Sequence, residues 1–195
     1  MSSMGIRSAF LGLLLALVPW FILHSAASES QTLWREDDQR VRVGLKLFPA
    51  CLGALESLDS LLTPAGSLRV LVVYAENSTV ARQAAASFES VSRIRDYPLE
   101  VRILSATELD AYSGGRPAGI FVAGVELDPR RFRNWSERHR TLVFSPFAGA
   151  VEGGAVAGIH VADRVLPFID PARAQRAGLR FKSFFLDVAR IHEGG

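Results

Sequence analysis

Gly153-Gly154-Ala155-Val156-Ala157-Gly158-Ile159-His160-Val161-Ala162-Asp163-Arg164-Val165-Leu166-Pro167-Phe168-Ile169-Asp170-Pro171 holds the turn on which the fold reading depends. Two β-rich runs, 156–161 and 165–169, flank Ala162-Asp163-Arg164. So short a connection between apolar runs predicts an antiparallel hairpin. Asp170 offers a side-chain cap and Pro171 suits a first helical position, so a helix should open there. Gly178 supplies its stop. Beyond it, Phe181, Phe184, Phe185, Val188 and Ile191 recur at helical spacing and predict a closing amphipathic helix.

Upstream of the hairpin, strand and helix patterns alternate. Apolar residues at Val41, Leu45, Phe48, Leu52, Leu55 and Leu58 predict a helix over 39–62, continuous or broken at Pro49. Residues 68–74 form an unbroken β-branched run, as a strand buried on both faces requires. A helix from Val80 to about Val91, a strand over 97–104 and a short helix opened by Thr107 follow. A strand over 118–122, a helix opened by Asp128-Pro129 and a strand over 141–145 complete the series. Such alternation predicts an α/β fold: one three-layer domain with a mixed, mostly parallel sheet, ending in an antiparallel hairpin plus helices.

Gly153-Gly154, the hairpin closing on Asp170, Arg176-Ala177-Gly178-Leu179 and Val188-Ala189-Arg190 together resemble the C-terminal signature of the YfiR-like periplasmic regulators. Farther upstream, Arg42-Val43-Gly44-Leu45-Lys46-Leu47, the run 68–74 and the strand-helix-strand segment 118–145 are similar to that family's earlier elements. The resemblance implies a YfiR-like domain over 39–192 and a non-enzymatic, exported protein. Its implied partner is the sensor region of an inner-membrane diguanylate cyclase or sensor kinase, which ties it to cyclic di-GMP signalling.

The chain has 195 residues, 49% of them hydrophobic and 22% charged, the balance of a folded domain rather than a disordered one. Arg7 and the 15-residue apolar run 9–23 precede Ser25-Ala26-Ala27, the order of a secretory signal peptide over 1–27 with cleavage before Ser28. The alternative is an uncleaved N-terminal anchor, against which stand Pro19 and a run short of the roughly 20 residues that span a bilayer. Residues 28–38 then read as a flexible polar tail. Removing the leader's Arg7 lowers the formal charge from +2 to +1, which gives no electrostatic footprint for nucleic acid. Cys51 is the only cysteine, so no intrachain disulfide forms, and its apolar helical neighbours predict a buried, inert thiol.

No motif specifies catalysis, a metal or a cofactor, and none is expected. Gly149, Gly153, Gly154 and Gly158 lack the spacing and the following Lys-Ser or Lys-Thr of a phosphate loop. Ser145, His160 and Asp163 can be written as a relay, but Ser145 precedes a proline and sits in no Gly-x-Ser-x-Gly elbow. The candidate contacts for a ligand or partner are therefore positional. Glu76 and Asn77 follow the first strand, where open α/β sheets bind ligands, and Gly153 and Gly154 form the glycine-rich loop. Arg131 and Trp135 belong to a basic helix that also carries Arg130, Arg133, Arg138 and Arg140, and could face an anionic lipid or acidic partner. His160 is a pH-sensitive candidate in the hairpin. Two functions compete: a protein-binding regulator, with a homodimer through the last apolar stripe as a further arrangement, and a small-ligand domain resembling one lobe of a solute receptor. An enclosed polar pocket would favour the second and an exposed apolar patch the first.

Overall fold

A computed structural model describes the backbone of residues 18–194 and the side-chain surroundings from residue 36 onward. The leader predicted over 1–27 lies outside the described residues for 1–17, and the remainder of it has only its backbone described. The chain divides between Asp38 and Gln39, and Gln39–Gly195 is the compact unit that contains the sheet. Helix α1 (Val18–Gly53) crosses that division, so residues 28–38, read as a tail, have helical backbone. Among the described residues, no helix is long and apolar enough to cross a membrane.

After α1 and a 3-10 turn at Leu58–Leu61 come β1 (Leu68–Tyr74), α2 (Thr79–Val91), β2 (Arg93–Ile94) and β3 (Tyr97–Ser105). Next are α3 (Ala106–Asp110), β4 (Gly119–Val122), α4 (Pro129–His139), β5 (Leu142–Ser145) and α5 (Ala150–Gly153). The chain closes with β6 (Ala157–Val161), β7 (Val165–Ile169), α6 (Pro171–Arg176), α7 (Ser183–Leu186) and β8 (Arg190–Ile191).

The strands form one sheet in the order β2-β3-β1-β4-β5-β6-β7-β8. β3, β1, β4, β5 and β6 run parallel, while β2 and β7 are antiparallel to β3 and β6. The predicted α/β class, mostly parallel sheet and terminal hairpin are all present. Chain order reverses between β1 and β4, the crossover position of a doubly wound sheet.

Each face of the sheet has its own core. Against one pack residues 39–53 of α1, α2 and the segment after α6, with Phe48, Phe88, Phe121 and Phe144 at ring separations of 5.2–5.8 Å. Gly119 makes this possible, because a Cβ there would stand 2.7 Å from Phe48 Cζ. Leu109, Phe132 and Trp135 from α3 and α4, with Val151 from α5, cover the other face. Cys51 is fully buried in the first core, and burial pushes its thiol far above the ordinary range.

Three expectations need correction. The helix read over 39–62 ends at Gly53, and Pro49 lies within it rather than breaking it. The helix assigned to Thr107 starts one residue earlier, under a reciprocal cap in which Ser105 Oγ accepts from Glu108 N–H and Glu108 accepts from Ser105 N–H. The closing amphipathic helix is replaced by α7, a single turn, followed by β8. Adjacent Phe184 and Phe185 sit about 100° apart on a helix, so one can be buried while the other turns to solvent. Phe181 and Phe185 stack together inside the core, while Phe184 and Val188 point outward. Ile191 is then taken by pairing with Ile169.

Candidate functional site

The C-terminal edge of the parallel strands is where the sequence placed a ligand, and there the loops fill their own space. Asn77 Oδ1 accepts from the Thr79 N–H at 2.9 Å and so closes the entry into α2. Glu76 beside it is exposed. Gly124 brings the loop after β4 against the loop after β1, since a Cβ there would lie 2.9 Å from Glu126 Oε2 and 3.4 Å from Ala75 N. Gly153 and Gly154 lie under the first turn of α4, their virtual Cβ atoms 2.4 Å from Pro129 Cβ and 2.7 Å from its carbonyl oxygen. These two glycines are packing positions. Their close neighbours are Pro129 and Arg133, whereas Asn77 is spent on its own helix cap.

The basic helix divides between its two sides. Trp135 is only 2% exposed, and its indole N–H donates to Asp110 Oδ1 at 2.7 Å. Arg131 pairs with the other oxygen of Asp110, donates to the Ala106 carbonyl at 3.2 Å, and lies over the Trp135 ring at 5.4 Å. Burial opposes ionisation of Asp110, yet the Trp135 N–H and the Arg131 guanidinium outweigh it and hold the carboxyl below its usual value. Both residues fasten α4 to α3, so neither stands free for a partner. The carboxylate that engages Arg131 lies 21 positions away in the sequence, out of reach of a local reading.

His160 is half-buried, with its ring edge-on to Phe168 at 5.7 Å. Ser145 is buried and stands opposite Gly158 in the ladder, while Asp163 is exposed in the hairpin turn. The register therefore aligns His160 with Leu166 rather than with Ser145. Among the described residues, no group of three or more His, Cys, Asp or Glu side chains could hold a metal ion.

Open space occurs at the opposite edge, before the parallel strands begin. A cavity of about 350 Å³ is lined by Tyr112, Ser113, Arg116, Arg138, His139 and Arg140. A smaller one of about 150 Å³ adjoins it and shares Arg116, with Glu56 and Arg180 on its far wall. The register Gly119↔Leu142 brings the loop before β4 beside the end of α4. There Arg116 Nε donates to the Arg140 carbonyl at 2.8 Å. Sequence reading missed this cavity, although it had marked two of its arginines.

The largest exposed apolar side chains gather elsewhere. Phe184 is 62% and Val188 60% exposed, and Val161 and Val165 at the hairpin tip are also exposed. Alternation along β6 and β7 puts those two valines on the same side of the sheet as Ile159 and Ile169, the side that the C-terminal segment covers.

No protein-family model matches this chain, and no match to it is found among curated proteins.

Proposed function

We propose that this protein is a non-enzymatic regulator that acts by binding another protein through the outward side of its C-terminal segment and hairpin tip. The reading rests on one observation. Phe184 and Val188 are the most exposed large hydrophobic residues among those described, and Val161 and Val165 at the hairpin tip face the side of the sheet that the C-terminal segment covers. Scattered exposed apolar residues are ordinary, whereas a group of them is a mark of interaction surfaces. The YfiR-like resemblance of this same C-terminal third supports the reading and supplies the class of partner, an inner-membrane diguanylate cyclase or sensor kinase. Regulation then follows from differential affinity for two states of the sensor region. The receptor-lobe alternative, with ligand held at Glu76, Asn77, Gly153 and Gly154, has less support because three of those four residues are engaged in capping and packing.

Binding of the full chain to the purified sensor region of an inner-membrane diguanylate cyclase or sensor kinase tests the proposal. Phe184→Asp and Val188→Asp should each leave the melting temperature within a few degrees and weaken binding about tenfold or more. Phe185→Ala is the contrasting variant: Phe185 is 8% exposed, and its truncation should cost about 3–5 kcal/mol of stability. Unaltered binding by both Asp variants overturns the proposal. So does a homodimer that Phe184→Asp dissolves while the sensor region fails to bind.

A further inference from the structure

We propose that the cavity walled by Arg116, Arg138 and Arg140 binds the phosphate group of a small soluble molecule. This site is independent of the apolar side chains assigned to a protein partner.

The charges around it lack ion-pair partners, although the Asp110 carboxylate acts on Arg138 from a distance. Among the described residues, no carboxylate lies within ion-pair distance of Arg116, Arg138 or Arg140. Two of the nearby acids are occupied. Asp110 serves Arg131 and Trp135, and Arg138 reaches its carbonyl oxygen, at 2.5 Å. Glu137 faces Arg176 at 3.8 Å, while the exposed Glu56 lines the neighbouring cavity without an ion pair to Arg116. Burial, followed by the charge of Arg140, lowers the proton affinity of Arg116. Like charges drawn together in partly desolvated surroundings repel, and an anion between them relieves that repulsion.

The wall is also held in place before any ligand arrives. Arg140 closes α4 in the left-handed conformation at φ 50°, which fixes the carbonyl that receives Arg116 Nε. Its guanidinium lies over Gly178, where a Cβ would approach Nη2 to 3.0 Å. Gly178 thus ends α6 at φ 69° and leaves room for the arginine. His139 adds no cation, because burial and then Arg138 favour its neutral form. Guanidinium groups pair with phosphate oxygens through two parallel donors, which a lysine ammonium cannot offer. A volume of about 350 Å³ is at the lower end of small-molecule sites.

Calorimetric titration of the full chain decides it, with inorganic phosphate and glycerol phosphate as soluble probes and phosphatidylglycerol vesicles as the membrane form of the same group. Both soluble probes should bind saturably. Arg138→Gln and Arg140→Asn should each weaken them about tenfold or more, the loss of one charge-assisted hydrogen bond. Asn is chosen because it tolerates the left-handed backbone, and the exposed Arg138 provides a second variant that leaves the backbone untouched. Arg164→Gln, in the hairpin turn, should bind as the parent does. The proposal is overturned if neither soluble probe saturates, if vesicles alone bind, or if the two cavity variants bind unchanged. An equal loss in Arg164→Gln overturns it too, since the effect would then be one of net charge.

Discussion

The two edges of the parallel sheet use their loops in opposite ways. At the edge where the strands end, Gly124 admits Glu126 and the loop after β1, Gly153 and Gly154 admit Pro129, and Asn77 caps its own helix. At the edge where they begin, Arg116, Arg138 and Arg140 stand around open space. Topology favours ligands at the first edge, at the crossover between β1 and β4. Side-chain volume decides whether any space is left there. Gly124, Gly153 and Gly154 serve close packing at that edge, while long cationic side chains line the space at the other.

The largest effect should come from opening the closed edge. Gly154→Ala places a Cβ 2.7 Å from the Pro129 carbonyl, on a backbone at φ 147°. It should cost about 2–4 kcal/mol by chemical denaturation. A neutral result would mean that α4 and α5 can separate, and the edge would regain its claim as a ligand site. A smaller effect sharpens the other edge. The Asp110 carboxyl is held below its ordinary value, so it stabilises the fold above the unfolded-state range near pH 4, and that contribution is lost as pH falls through the lower folded value. Asp110→Asn should therefore reduce stability at neutral pH and flatten the acid limb of the stability profile. A parallel profile for parent and variant would detach Asp110 from the support of α4. Smallest is Asn77→Ala, expected to lower stability by about 1 kcal/mol through the lost cap. If Asn77→Ala left stability unchanged but altered binding of a small molecule, the closed edge would be functional after all.

How much of this was legible in the sequence follows the range of the interactions involved. The hairpin, the cap by Asp170, with its oxygen 2.8 Å from Arg173 N–H, and β1, buried at five of its seven positions, depend on neighbours within a few residues, and each was legible. β2 and β8 have two residues apiece, too few to show a period. The final stripe misled because helical spacing counted Phe184 and Phe185 together, and only packing against Phe181 chooses between them. The arginine cavity was illegible for a deeper reason. Arg116 and Arg140 stand 24 positions apart and meet only because β4 and β5 pair in a particular register.

Pro167 has one more consequence. The Asp170 N–H points at the Val156 carbonyl just ahead of β6, so by alternation the backbone of Pro167 faces the outer margin of the sheet, as does the Ile169 carbonyl that accepts from His192 N–H at 2.7 Å. Proline has no N–H to offer there, and β8 covers the stretch beyond it. Along that margin β7 keeps a single outward donor, at Val165. An incoming strand would find no backbone donor at Pro167, so this stretch of β7 is a poor template for recruiting another chain's backbone.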